Sequence, residues 1–318
     1  MKVISKAQLE AMLDPQEVIA EVIALMREAL IAHARGECDM PMPMHLTFRD
    51  SNGAEGDAEV HVKSSYRRGG KYFVLKMAGT FPANRDKGLS TGCGMMVLCS
   101  AETGEPLALF DDQGYLTDYR TAAVAAAVAR ALGREDQALG ILGTGIQARL
   151  QARLHAAVLD LKKIVIWGRT STHVAECAFD LGDTLPGVEI GTVAQTGEIG
   201  KDCKLIVTCT GSRSPLLMAG GLQPGTHISA VGSDSTGKQE LYPGLVRRAA
   251  LLLADSRAQC EKLGELQHSP TEHDRAIEAG DFMLAPPDWE RTGITVCDFT
   301  GLGVEDLYIA EYCYQKSQ

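Results

Sequence analysis

The sequence predicts an α/β protein in two parts: an α+β domain over residues 1–120, followed by a domain built on a parallel sheet. Three observations predict it. Residues 44–110 hold short apolar runs separated by Gly, Asn and Pro, which reads as an antiparallel sheet. From Thr121 onward, strand-like and helix-like runs alternate at the spacing of βαβ units. One of those alternations contains Gly143-Thr144-Gly145-Ile146-Gln147-Ala148, a tight turn between a strand and a helix.

Each element can be justified in order. The first six residues, Met1 to Lys6, read as a polar lead into a helix and lack the apolar core of a secretory signal. Residues 7–35 carry Leu9, Met12 and Leu13, then Val18, Ile19, Val22, Ile23, Leu25, Met26 and Leu30 at helical spacing. Asp14-Pro15 breaks that pattern once, with Pro near the first turn of the restarted helix. Strands are expected at Met44–Phe48, Val60–Val62, Tyr72–Met77, Met95–Leu98 and Leu107–Phe110. Residues 121–132 are almost all Thr, Ala and Val, a small-residue helix that can lie close to another backbone or to a ligand. Strands follow at 137–142, 163–167, 205–209, 227–231 and 251–254, with helices at 147–158 and 173–181. The polar stretch 267–288, with Pro286-Pro287, reads as loop over a modest helix around 274–279.

Composition narrows the function. The 318 residues are 45% apolar and 23% charged with a net charge of −10, which describes a folded chain without the electrostatic footprint of a nucleic-acid or anionic-membrane binder. No run approaches the roughly 20 apolar residues of a membrane helix. Nine cysteines, scattered and without zinc-type spacing, read as free thiols in a reducing cytoplasm, and no metal site is expected from them. A small-molecule partner is the expectation.

The Gly143–Ala148 turn carries the cofactor chemistry. Gly143 permits the tight turn, Gly145 lets the backbone approach a pyrophosphate, and Ala148 keeps helix against strand, so residues 121–295 read as a Rossmann dinucleotide-binding domain. Amide groups at a helix N-terminus then meet the phosphates. The second strand ends in Trp167-Gly168-Arg169-Thr170-Ser171, where an NAD site commonly places Asp or Glu. Arg169 and Thr170 at that place favour NADP over NAD.

Three segments carry a resemblance: the run Lys76 to Ala123, the turn Gly143 to Ala148, and Ala230-Val231-Gly232-Ser233-Asp234-Ser-Thr-Gly-Lys238-Gln-Glu240-Leu241. Together they resemble the ornithine cyclodeaminase and mu-crystallin family over essentially the whole chain. The resemblance implies a homodimer whose N-terminal domain binds substrate and supplies an intersubunit sheet, with residues 296–318 returning to it. By the same resemblance Lys76 and Arg120 bind the substrate carboxylate, Asp234 is the catalytic aspartate, and Phe299–Asp306 lies near the nicotinamide ring. It also implies catalytic work for Lys76 and cofactor contacts at Thr121, Thr144, Ile146, Gln147, Thr210, Val231, Gly232 and Ser233.

The residue chemistry agrees with those roles. Arg offers a carboxylate a bidentate fork and Lys a point charge, while a partly buried Asp can deliver the proton that imine reduction needs. This chain departs from the family where an Arg after a Pro forms a further clamp: it reads Pro43-Met44-His45. On the next strand Glu59-Val60-His61-Val62-Lys63 alternates its polar side chains to one face. If His45 and Lys63 join Lys76 and Arg120, four potential cations line the pocket, which suits a dicarboxylate. The expected reaction is NAD(P)H-dependent reduction of an α-imino acid, iminosuccinate first and pyrroline-2-carboxylate or another ketimine after it. Ornithine cyclodeamination with bound NAD+, and a non-enzymatic crystallin-like dinucleotide-binding protein, are the alternatives.

Overall fold

A computed structural model describes residues 1–49 and 55–318. In chain order the elements of the first part are β1 (Lys2–Ser5), α1 (Lys6–Leu13), α2 (Gln16–Ala34), β2 (Cys38–Asp39), β3 (Met44–Arg49), β4 (Glu55–Arg67), β5 (Tyr72–Thr80), β6 (Gly92–Ser100), β7 (Pro106–Asp111) and α3 (Tyr115–Ala131). Then come β8 (Ala138–Leu142), α4 (Ile146–Ala156), β9 (Lys163–Trp167), α5 (Ser171–Thr184), β10 (Glu189–Thr192), α6 (Ile199–Asp202), β11 (Leu205–Thr208), β12 (Arg213–Leu217), β13 (His227–Ala230), β14 (Gln239–Leu241), α7 (Pro243–Arg248), β15 (Leu251–Ala254), α8 (Arg257–Leu263), β16 (Ile277–Glu278), α9 (Ala279–Leu284), β17 (Thr295–Asp298) and α10 (Gly303–Lys316). They fall into two compact units, Met1–Arg120 with Leu302–Gln318, and Thr121–Gly301.

The first unit is one seven-stranded sheet in the order β1-β7-β6-β5-β4-β2, with β3 also paired to β4. Its pairs are antiparallel except β1, which runs parallel to β7. The sequence reading placed no strand before α1; only Ile4 of that short segment is buried, so alternation gives it away poorly. Helices α2 and α10 bury Ile19, Val22, Ile23, Met26, Leu307, Ile309 and Cys313. Gly303 opens α10 directly against β4, where a side-chain carbon would sit 2.7 Å from the Ser64 carbonyl oxygen. Glycine is what lets the helix approach so closely.

The second unit holds eight parallel strands in the order β10-β9-β8-β11-β13-β17-β15-β16. Strand order reverses between β8 and β11, the switch point beside which open α/β sheets bind ligands at their carboxyl ends. The central strands are buried along their whole length, which explains the apolar runs of β11 and β15, while β13 and β17 bury His227, Ser229, Thr295 and Asp298 as well.

Three boundaries differ from the sequence expectation. Residues 296–301 stay with the second unit, because β17 is paired on both sides by β13 and β15, so the return to the first unit begins at Leu302. The helix expected from Thr121 begins at Tyr115, where the Asp112 carboxylate accepts hydrogen bonds from the Gly114 amide at 3.1 Å and the Leu116 amide at 2.7 Å. The helix expected around 274–279 is replaced by 3₁₀ turns at Glu265–His268 and Pro270–Arg275, and the α-helix follows at Ala279–Leu284, where Phe282 and Met283 reach the core.

Candidate functional site

In the first unit, strand alternation and register gather the site. Lys63 on β4 stands directly opposite Lys76 on β5, and His45 on β3 stands opposite His61, two residues along β4 from Lys63. His45, Lys63 and Lys76 therefore share one face of the sheet, and Glu59 shares it too. Lys76 is 2% exposed and Lys63 9%. Arg120, on the capped helix α3, reaches the same cluster through the first turn of α10.

That turn supplies two buried acids that the sequence reading did not assign as partners. Lys76 Nζ lies 3.2 Å from Asp306 Oδ2, Arg120 Nε donates to Asp306 Oδ1 at 2.9 Å, and Arg120 Nη1 donates to Glu305 Oε2 at 2.7 Å. Both acids are fully buried. Burial drags Lys76 down to about 7, and the charges of Lys63 and Arg120 push the same way against the pull of Asp306. Asp306 stays below the usual carboxylate range, because Arg120, Lys76 and Lys63 together outweigh its own burial. The potential cations of this face have acids beside them: Asp306 pairs with Lys76 and Arg120, Glu305 pairs with Arg120, and His45 Nε2 lies 3.1 Å from Glu59 Oε2. A signal for the acids exists in the sequence, since Leu302, Glu305, Asp306, Ile309 and Cys313 recur at helical spacing on one stripe.

In the second unit the β8–α4 turn has the shape of a phosphate cradle. Gly143 has φ +142, and a side-chain carbon there would lie 2.6 Å from Cys209 Sγ and 2.9 Å from the Cys209 carbonyl oxygen, so β8 and β11 meet with no room to spare. Gly145, at the N-cap of α4, has open space where its side chain would be, with Thr144 beside it and Ile146 and Gln147 opening the helix. Ala148 is fully buried. Arg149 Nη1 donates to the Thr144 and Gly145 carbonyls at 2.8 and 3.2 Å, and its Nε donates to Asp180 on α5 at 2.8 Å, which steadies the turn. Arg169 and Thr170 follow β9 on the exposed surface, and Thr121 begins this unit within α3.

The loops after β11 and β13 hold Thr210, Val231, Gly232 and Ser233. Glu240, fully buried, ties them together: its carboxylate accepts from the Thr208 hydroxyl at 2.7 Å, the Thr210 amide at 2.6 Å, the Thr210 hydroxyl at 2.7 Å and the Gly232 amide at 2.9 Å. Burial still pushes its carboxyl up, against all four donors. A side-chain carbon at Gly232 would lie 2.2 Å from the Thr210 carbonyl oxygen. Ser233 Oγ donates to the Lys238 carbonyl at 2.9 Å, while Lys238 Nζ donates to Asp234 Oδ1 at 2.7 Å. Asp234 is partly buried, as expected, with its side chain 43% exposed and engaged by that lysine. The residues present thus fit a dinucleotide: an open glycine at a helix start, a strand-to-strand approach only glycine allows, and two loops fixed by one carboxylate.

Comparison with known proteins agrees with this geometry. Residues 6–318 match the ornithine cyclodeaminase/mu-crystallin family. This chain belongs to that family. A putative dehydrogenase of Rhizobium meliloti is 36% identical across 100% of this chain and 96% of its own. Among solved structures, an archaeal alanine dehydrogenase dimer with bound NAD superposes with a TM-score of 0.86 at 26% identity, covering 100% of this chain and 96% of that one. The iminosuccinate reductase of Paracoccus denitrificans in complex with NAD+ superposes at 0.82 and 28% identity, covering 99% and 95%. Among the described residues, no helix is long and apolar enough to cross a membrane.

Proposed function

We propose that the protein reduces an α-imino acid to the L-amino acid with NADH or NADPH. The observation that carries this reading is the buried pair Lys76 and Arg120, held in place by Asp306 and Glu305 in a chain whose second unit carries the dinucleotide turn. Arg120 and Lys76 receive the substrate carboxylate. Asp306 and Glu305 fix the guanidinium before substrate arrives, so little ordering is left for binding. The nicotinamide cofactor, when bound, supplies the hydride. Gly143, Thr144, Gly145, Ile146 and Gln147 hold its pyrophosphate, Arg169 and Thr170 hold the adenosine end, and Thr121, Thr210, Val231, Gly232 and Ser233 complete its site. Asp234, 43% exposed and open to water, takes up a proton from solvent and passes it to nitrogen, and Lys238 keeps it oriented while it is a carboxylate.

Iminosuccinate, giving L-aspartate, is the first candidate. With the pocket's carboxylates counted, its second carboxylate depends on Lys63 and His45 for recognition. One observation favours the second reading: Glu59, 7% exposed on the same face, is the acidic group that the distal ammonium of ornithine would require. The deciding experiment follows NADH and NADPH oxidation with oxaloacetate plus ammonia, pyrroline-2-carboxylate, piperideine-2-carboxylate and pyruvate plus methylamine, with ornithine plus NAD+ as counter-test. Turnover of one or more imines supports the reading. Proline formed from ornithine with no imine reduced replaces it by cyclodeamination.

The partner proposed is a second copy of the chain. Met44, Leu46, Phe48, Leu75 and Met95 are 40–59% exposed and occupy the sheet face opposite Lys63 and Lys76. An apolar patch of this kind on an ordered sheet calls for a cover, and an isologous dimer provides it.

A further inference from the structure

His45, Glu59 and His61 form a compact donor set. Glu59 and His61 alternate on β4 and share a face, and β3 brings His45 directly opposite His61. Both imidazole Nε2 atoms converge on one carboxylate oxygen: Glu59 Oε2 lies 3.1 Å from His45 and 3.7 Å from His61. All three donor atoms lie within 4.8 Å of one another. His61 is 9% exposed, and its Nε2 is buried with no hydrogen-bond partner. A buried ring nitrogen left in that state costs free energy unless something else occupies it.

We propose that this cluster binds a divalent transition-metal ion. Two imidazoles and one carboxylate are a donor set suited to such an ion, and three protein donors leave a coordination position open. Around an ion with bonds of about 2.0–2.1 Å in tetrahedral geometry, donor atoms sit roughly 3.4 Å apart, and the two separations to Glu59 Oε2 fall on either side of that. The rings now stack with centroids 4.4 Å apart and planes 10° from parallel. They must splay for both lone pairs to meet one ion, a turn about the broad χ2 torsion of histidine. Lys63, the nearest lysine along the face, acts on Asp306, which offsets its charge. The carboxylate site at Lys76 and Arg120 needs no metal; the ion would sit farther along the same face and take His45 and Glu59 from the direct substrate contacts proposed for them above.

The test uses the full chain, stripped with EDTA, desalted and titrated with Co2+ alone, then with Zn2+ as competitor. The expected result is one Co2+ per chain with visible d–d absorption, no thiolate charge-transfer band, and displacement by Zn2+. His61→Ala and His45→Ala each weaken binding by about 100-fold or more, since removing a ligand costs at least what removing its outer-shell support does. Far-UV circular dichroism checks that the variants fold; should His61→Ala fail, His45→Ala decides, because His45 is a 28% exposed side chain outside the core. Less than one equivalent bound at ten times the protein concentration overturns the proposal. So does a thiolate spectrum, or a His45→Ala variant that binds like the unaltered chain.

Discussion

At the scale of single residues, the site is a matter of how buried charges are arranged. Lys76 has its ordinary value of 10.5 lowered to about 7, so its charge is complete below that pH and is lost as pH rises through it. The free enzyme's affinity for a carboxylate should fall along the same limb. In kcat/KM against pH this limb near 7 should move upward in Lys76→Arg, whose guanidinium does not titrate, while the substrate's own ionisation stays common to both. Lys76→Met should lower kcat/KM by about 100-fold or more, because a buried ion pair loses one member where the substrate binds. Arg169 makes a separate prediction: Arg169→Ala should raise KM for NADPH about 10-fold and leave NADH nearly unchanged, the loss of one charge-assisted hydrogen bond. Equal effects on both cofactors would remove the 2′-phosphate reading. Lys76 and Arg120 were legible in the sequence because flanking residues carry the resemblance. Their acidic partners were not: Arg120 and Asp306 are 186 residues apart, and no local spacing announces an ion pair closed by the fold.

At the scale of elements, glycine and register do the positioning. The β8–α4 turn was legible because its chemistry is local: strand, two glycines and helix stand consecutively in the chain. The join of α10 to β4 was not, because Gly303 matters only through the Ser64 carbonyl it approaches. Gly303→Val should therefore force α10 outward, lower the melting temperature by about 2–10 °C through overpacking, and weaken substrate binding together with it, since Glu305 and Asp306 ride on the same turn. A melting temperature and KM both equal to those of the unaltered chain would show that the close approach holds nothing in place. The 3₁₀ turns at 265–275 show the opposite failure: Pro270 and a polar run resemble a helix start, but the apolar side chains that anchor a helix arrive only at Phe282 and Met283.

At the scale of the whole molecule, each unit carries a different half of the chemistry. The proposed carboxylate site, Lys76 and Arg120, is in the unit formed by Met1–Arg120 and Leu302–Gln318, and the Gly143–Ala148 turn in Thr121–Gly301. The exposed apolar face of the first unit belongs to this scale too. Leu75→Asp, 45% exposed in the single chain, should convert a dimer to a monomer by light scattering, with circular dichroism unchanged; an unaltered dimer would place the interface elsewhere. Alternation of strand and helix made the second unit readable, whereas the pairing of β1 with β7 depends on contacts across most of the chain, and the return of α10 was legible only through the resemblance. The central claim, hydride delivered to the α-carbon of an imino acid, is tested most directly by isotope. NADH and NADPH deuterated at the transferable C4 position are supplied with each imine, and the products are read by mass spectrometry and NMR. The account predicts one deuterium, at Cα of an L-amino acid. Deuterated malate from oxaloacetate, or amino acid formed without deuterium at Cα, would contradict it.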